Sequence, residues 1–322
     1  VTARARVESL QDVPATITAF SETQIANMGV QRAEDFVYMT PGVTFVNTVE
    51  VGDSSLSIRG ISGARDGETN FAFIVDGILY TNPSAFNREY PDLTQIEVLK
   101  GPQGALYGRS AAGGAVIMST RRPSDVLEGK VKVSAAEHGT YTAMGTIAGP
   151  LGENIAGRLT VDHRTTDGFS KNVYLDDDVV NDFEETGVSA RLAFDPSDTL
   201  AIDTKLRYSE VEAGAIAFNA AFELPFFVGA LDGLQDFGVD PEAASIDVND
   251  FDWVYSPNVD PKNEQDTWEF SIKADKELAF ATLSAWALYS DQNQSFIADG
   301  TSGAFGFYDA KAHCQESAVA RS

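Results

Sequence analysis

Residues able to do covalent or metal chemistry are few and scattered. The three histidines, His138, His163 and His313, lie far apart in sequence, and the single cysteine, Cys314, cannot close an internal disulfide. Their spacing matches no metal-ligand set. No grouping of Ser, His and Asp, or of Cys and His, supplies a nucleophile with its base. The densest candidate is the glycine-rich run from Gln95 to Pro123. A phosphate cradle needs Gly, four residues, then Gly-Lys-Ser/Thr. Here Gly104 is followed by three residues and Gly108-Arg109-Ser110, one short and with Arg in place of Lys. Gly101, Gly104, Gly108, Gly113 and Gly114 therefore read as turn and close-approach glycines. Catalysis, a resident metal and a cofactor are not expected, which leaves binding.

Charge narrows what is bound. Lys plus Arg number 23 against 48 Asp plus Glu, a net −25 that repels phosphate backbones and excludes nucleic acid as a partner. Much of it lies in the stretch 213–262, where acids such as Glu223, Asp232, Asp240 and Asp250 face a single base, Lys262. A solvated face is the plain reading of that stretch. Cation bridges to an anionic outer surface, or attraction of a cationic ligand, are the alternatives. Phe218, Phe222, Phe226 and Phe227 in the same stretch suit a lid or an aromatic cluster at a lipid interface.

The elements that position these residues fall into two regions, as 322 residues at roughly 150 per domain suggests. No apolar run approaches the roughly 18 to 20 residues of a spanning helix; Phe71 to Val75 is broken at once by Asp76-Gly77. A mean hydropathy slightly below zero is compatible with membrane strands, whose two faces cancel. Residues 1 to about 125 read as an α+β globule. Phe20-Ser21-Glu22-Thr23-Gln24 has the form of a capping box opening a helix over Glu22 to Met28, which stops at Gly29. A second helix is expected from about Arg32 to Met39, before Pro41-Gly42. Strands are expected near 43–47, 55–60, 71–76, 95–100 and 115–120.

After Pro123 the pattern becomes strict alternation with a charged polar face, as in Lys130-Val131-Lys132-Val133 and Arg158-Leu159-Thr160-Val161-Asp162. About seven strands are expected, the last near 279–292 and left as an unpaired edge. Alternation alone fits a soluble sandwich equally well. Connection lengths favour a membrane barrel: short turns near Gly139, 195–198 and 276–277 alternate with excursions over about 166–185 and 213–262.

Read in order, Glu97, Lys100-Gly101-Pro102, Leu106-Tyr107-Gly108, Gly113-Gly114 and Thr120-Arg121-Arg122-Pro123 resemble the plug-domain signature of TonB-dependent outer-membrane receptors. Thr40-Pro41-Gly42-Val43, Ile58-Arg59-Gly60 and Val75-Asp76-Gly77 match further plug landmarks. Val1-Thr2-Ala3-Arg4, with Leu10 to Pro14 after it, looks like the end of a TonB box and the start of the plug. Ile117 departs from the usual Asn of its strand, and the rest of the box would precede Val1. The resemblance implies a plug over 1–125 and, over 126–322, the first strands of a transmembrane β-barrel of about 22 strands. Seven strands cannot close around such a plug, so the native chain is expected to continue past Ser322.

The same resemblance implies roles. Arg59 and Glu97, with Lys100 and Arg109, would form a charge lock between plug and barrel. Val1, Thr2 and Ala3 would be the remnant of the segment that pairs as an added strand with TonB, itself driven by the inner-membrane energising complex. Loops carrying Arg65, Asp66, Asn70, Tyr80, Asn82, Phe86, Arg88 and Tyr90 would face an external small polar ligand. The implied function is TonB-dependent uptake across the outer membrane of a Gram-negative bacterium, among lipid and lipopolysaccharide. A ferric siderophore is the default ligand; cobalamin, haem and oligosaccharide remain open. A soluble β-rich adhesin is the reading from another class.

Overall fold

A computed structural model describes residues 16–47, 54–63, 69–86, 88–108, 110–168, 171–172, 182–214, 254–255, 262–299 and 311–321. Val1, Thr2, Ala3, Arg65, Asp66, Arg109 and nearly all of the acidic stretch 213–262 lie outside those residues.

β1 (Thr16–Ser21) leads directly into α1 (Glu22–Met28). The Ser21 amide donates to Gln24 Oε1 at 2.9 Å, the reciprocal half of the expected capping box. The helix stops where Gly29 turns left-handed, φ 70°, letting the Val30 amide reach Ile25 O at 3.0 Å. α2 (Ala33–Val37) is shorter than its sequence suggests. Asp35 fixes its start by accepting from the Gln31 and Arg32 amides, both at 2.8 Å, and its end comes two residues early because the Met39 and Thr40 amides turn to the Phe36 and Val37 carbonyls at 3.2 and 2.9 Å.

β2 (Val43–Asn47), β3 (Ser54–Ile58) and β4 (Ile61–Ser62) make a small antiparallel sheet. β5 (Phe71–Val75), β6 (Ile78–Tyr80), β7 (Leu93–Lys100) and β8 (Gly114–Thr120) join β1 in a five-stranded sheet of order β1-β7-β8-β5-β6. A one-turn helix, α3 (Gly104–Tyr107), closes the loop between β7 and β8. All of β5 is buried, because one face meets a cluster with Phe36, Phe86 and Val98 and the other a cluster with Leu99, Ala115 and Ile117. Gly114 is required where β8 begins. A Cβ there would stand 2.1 Å from Leu99 O, so any side chain would push the two strands apart.

The second region is one antiparallel sheet of eight strands. It comprises β9 (Glu128–Ala136), β10 (Thr140–Gly152), β11 (Ile155–Thr166), β13 (Phe183–Ser197), β14 (Leu200–Ala213), β16 (Lys262–Glu277), β17 (Thr282–Asp299) and β18 (Lys311–Arg321). A separate two-residue pair, β12 (Lys171–Asn172) with β15 (Val254–Tyr255), lies within the long connections. The sheet has one strand more than the sequence suggests: β17 pairs with β18 from Tyr289 to Asp299 and is not the free edge. β18 escapes notice because it lacks the apolar alternation of its neighbours. The Gly139 turn also lies on the other rim from that implied by its shortness. Antiparallel order puts residues 137–139 beside the start of the 167–182 connection, where the Asp167 amide donates to His138 O at 3.0 Å; the short turns of the opposite rim include the tight one between β10 and β11.

Burial along these strands runs opposite to that of a soluble sandwich. Arg158, Thr160, Asp162, Glu185, Glu269 and Gln292 are buried, while Leu159, Val161, Val188, Leu192, Trp268 and Phe270 stand exposed. The polar face wraps the first region as a wall wraps a plug, and the apolar face points away from all other protein.

Candidate functional site

Plug and wall meet across a seam of charged and hydrogen-bonding groups, and two aspartates organise it. Both sit in left-handed backbone, Asp76 at φ 52° just after β5 and Asp92 at φ 62° just before β7. Among residues with a Cβ, Asp and Asn adopt that conformation at least cost. It turns each carboxylate outward from the end of a strand. Asp92, 5 % exposed, accepts from Arg158 Nε at 3.0 Å, Thr146 at 3.2 Å and Thr160 at 3.4 Å, with Lys130 at 3.7 Å. One plug side chain thereby holds β9, β10 and β11. Asp76 accepts from the Thr120 amide at 2.8 Å and the Thr120 hydroxyl at 2.6 Å. It also meets Lys205 of β14 directly, with Arg191 of β13 at 3.7 Å. Arg191 in turn binds Asp203 at 2.8 Å and donates to the Thr120 and Arg121 carbonyls.

The segment between these aspartates carries the other tethers. Asn82 donates to Gln292 of β17 at 2.7 Å. Arg88 lies over Tyr90 and Tyr80, 5.0 and 5.6 Å from the ring centres, and reaches Glu269 of β16 at 2.5 Å. Glu89 pairs with Arg164 of β11 at 3.2 Å and with Arg32 of the plug at 3.6 Å. Burial pushes the Glu89 carboxyl up to about 7 against the pull of Arg32. Burial likewise raises Tyr90 to about 12, opposed by Arg88. Such pairs add little net stability, because desolvation offsets their attraction. Breaking one from a single side costs about 3–5 kcal/mol. They fix register more than they add strength.

The residues named from the sequence are distributed differently. Of the expected lock, Arg59 donates to Thr16 at 2.7 Å, Glu97 accepts from Gln95, and Lys100 donates to Pro41 O at 2.6 Å. These contacts stay inside the plug, and the described ion pairs that cross to the wall belong to Asp76, Arg88, Glu89, Asp92 and, more exposed, Arg122, which meets Asp195 at 2.6 Å and Asp203 at 3.7 Å. Arg109 lies outside the described residues.

Of the expected ligand-facing residues, Phe86 is instead the centre of the plug core, 2 % exposed and against Phe36, Phe45, Phe71 and Phe73. Tyr80 and Tyr90 are also buried, because the chain after β6 folds back over β5. Arg88 and Asn82 turn to the wall. Asn70 donates to Ile61 O and accepts from the Gly113 amide, joining two plug loops. Asp76 was visible as a landmark in Val75-Asp76-Gly77, whereas Asp92 carried only the turn signal of Pro91-Asp92.

Residues 9–115 match the TonB-dependent receptor plug domain family. The chain is similar to the pesticin receptor of Yersinia enterocolitica, 27 % identical over 165 residues, which is 51 % of this chain and 24 % of that protein. It is also similar to the ferrioxamine receptor of Yersinia enterocolitica, 31 % identical over 157 residues, 47 % of this chain and 22 % of that protein. The chain thus spans about a quarter of the length of these relatives. Among solved structures, the ferric yersiniabactin uptake receptor FyuA from Yersinia pestis superposes with a TM-score of 0.73 at 19 % identity, over 89 % of this chain and 42 % of that one. The open form of the ferric-catecholate import receptor Fiu from E. coli K12 gives 0.69 at 19 % identity, over 96 % and 45 %. The chain shares its fold with these structures, and residues 9–115 are a plug domain of the TonB-dependent receptor family, held within eight strands of a barrel wall of that fold.

Proposed function

We propose that these residues belong to a TonB-coupled receptor that takes up a ferric siderophore across the outer membrane. The observation that carries this reading is the seam itself. A folded plug held to its wall mainly by polar contacts, many of them ion pairs, keeps its place while, among the described residues, little apolar contact beyond Leu288 resists displacement. The relatives named as ferrioxamine, pesticin and ferric yersiniabactin receptors favour a ferric siderophore over cobalamin, haem or an oligosaccharide. The exposed stripe through Val131, Leu159, Leu192 and Trp268 suits contact with lipid and, at the outer leaflet, lipopolysaccharide. The loops holding Arg65, Asp66 and Asn70 remain the ligand-facing part of the proposal, and Val1, Thr2 and Ala3 the end of the segment offered to TonB. Binding and release of this kind need no covalent step.

The test is uptake of iron-55 as its ferric siderophores in iron-starved cells carrying the full-length receptor. Import that needs TonB supports the reading. Import of radiolabelled cobalamin, haem or a sugar in its place refutes the ligand, and recovery of the protein outside the outer-membrane fraction refutes the class.

A further inference from the structure

The tethers are unevenly spread around the plug. β11 to β17 are engaged by Asp76, Asn82, Arg88 and Glu89, and Leu288 of β17 packs on the plug core. On β9 and β10, each hydrogen bond or ion pair described from the plug ends on Asp92. Behind that tether lies a cavity of about 180 Å³ between α1 and strands β9 to β11. Ile25, Ala26 and Val30 line it from the plug, and Lys132, Met144 and Arg164 from the wall. On the other flank of Asp92, towards Arg88 and Arg207, the gap is about 90 Å³. α1 follows β1, an edge strand bonded in its sheet to β7 alone, so both can shift without opening the interior of that sheet.

We infer that solute crosses this protein through the crevice between α1 and β9–β10, and that Asp92 is the latch holding it closed. The left-handed backbone at Asp92 is what aims one carboxylate at three strands, and the other plug tether lining the cavity, Glu89 to Arg164 at 3.2 Å, reaches β11 but neither β9 nor β10. The inference rests on the uptake reading for the identity of what passes. The opening itself is measurable without any ligand.

The experiment uses the full-length receptor in planar bilayers, with Cys314 and every other cysteine of the full-length chain replaced by Ser. Asp92→Ala should raise the open probability by roughly a hundredfold to a few thousandfold, as loss of one partner of a buried pair implies. Asn82→Ala, which cuts the β17 tether, should stay closed. A bismaleimide joining Ala26→Cys to Met144→Cys should close the Asp92→Ala pore again. The inference is overturned if Asp92→Ala stays closed, if Asn82→Ala leaks as much, or if the cross-link leaves the leak unchanged. Should Asp92→Ala fail to assemble, labelling of Met144→Cys by a membrane-impermeant maleimide decides. Labelling should be faster in TonB-energised cells than in de-energised ones, and equal rates overturn the inference. Normal opening with no import of ferric siderophore would sink the ligand reading alone.

Discussion

Cutting the Arg88–Glu269 pair from one side should cost far more than removing it whole. Arg88 Nη1 and Glu269 Oε2 are 2.5 Å apart, with side chains 11 % and 6 % exposed, so solvent screens the pair little. Glu269→Gln leaves a largely buried guanidinium without its countercharge, a cost of about 3–5 kcal/mol. The faces of Tyr90 and Tyr80 return about 1–2 kcal/mol of that, for a net loss of about 1–4 kcal/mol in plug docking. Arg88→Met strands Glu269 with no aromatic compensation and should cost the full ~3–5 kcal/mol. Arg88→Met with Glu269→Leu removes both charges and should fall within ~1 kcal/mol of wild type. Hydrogen exchange of the β5 and β6 amides in detergent-solubilised receptor measures the docking free energy for all four proteins. Single variants each costing less than ~1 kcal/mol, as exposed pairs do, or a double variant equal to the sum of the singles, would refute the reasoning.

Phe86→Ala should destabilise the plug by ~3–5 kcal/mol through the cavity left among four phenylalanines; a denaturant midpoint unmoved from wild type would place the ring elsewhere. Gly114→Ala should cost at least the ~3 kcal/mol of severe overpacking, because its Cβ meets backbone and not a movable side chain, and limited proteolysis should find the plug nicked between β7 and β8. Docking should also depend on pH through Glu89. Its docked carboxyl is raised from 4.5 to about 7, so the docked plug holds a proton that the released plug has lost. This contribution is complete below pH 4.5, declines as pH rises towards 7, and levels off above. Glu89→Gln should flatten that slope in the same exchange measurement, and an unchanged slope would assign it to another group.

Much of this architecture is legible in the chain because short-range rules and burial agree. The capping box at Ser21 and Gln24 and the stop at Gly29 place α1 to the residue. The alternation of Arg158, Thr160 and Asp162 with Leu159 and Val161 assigns both faces of β11. β18 fails the same test because its alternation is not apolar, so its pairing is decided by the neighbouring strand. The seam is less legible for a different reason. Arg59 and Glu97 are charged residues inside plug landmarks, but which charges face the wall depends on how the 80–92 segment folds back over β5. That tertiary choice draws Phe86, Tyr80 and Tyr90 inward and turns Arg88 and Glu89 outward. Alternation does show that the wall presents a charged face, although not which plug residue each charge meets.

The pair of left-handed aspartates has a consequence for heredity. A charge reversal at Arg158 or Lys205 is tolerable only alongside a matching change at Asp92 or Asp76, so the two regions are bound to drift in step. A plug transplanted from a distant cousin into this barrel would meet mismatched charges at several strands together, and such hybrids should succeed only when the inward-facing residues travel with it.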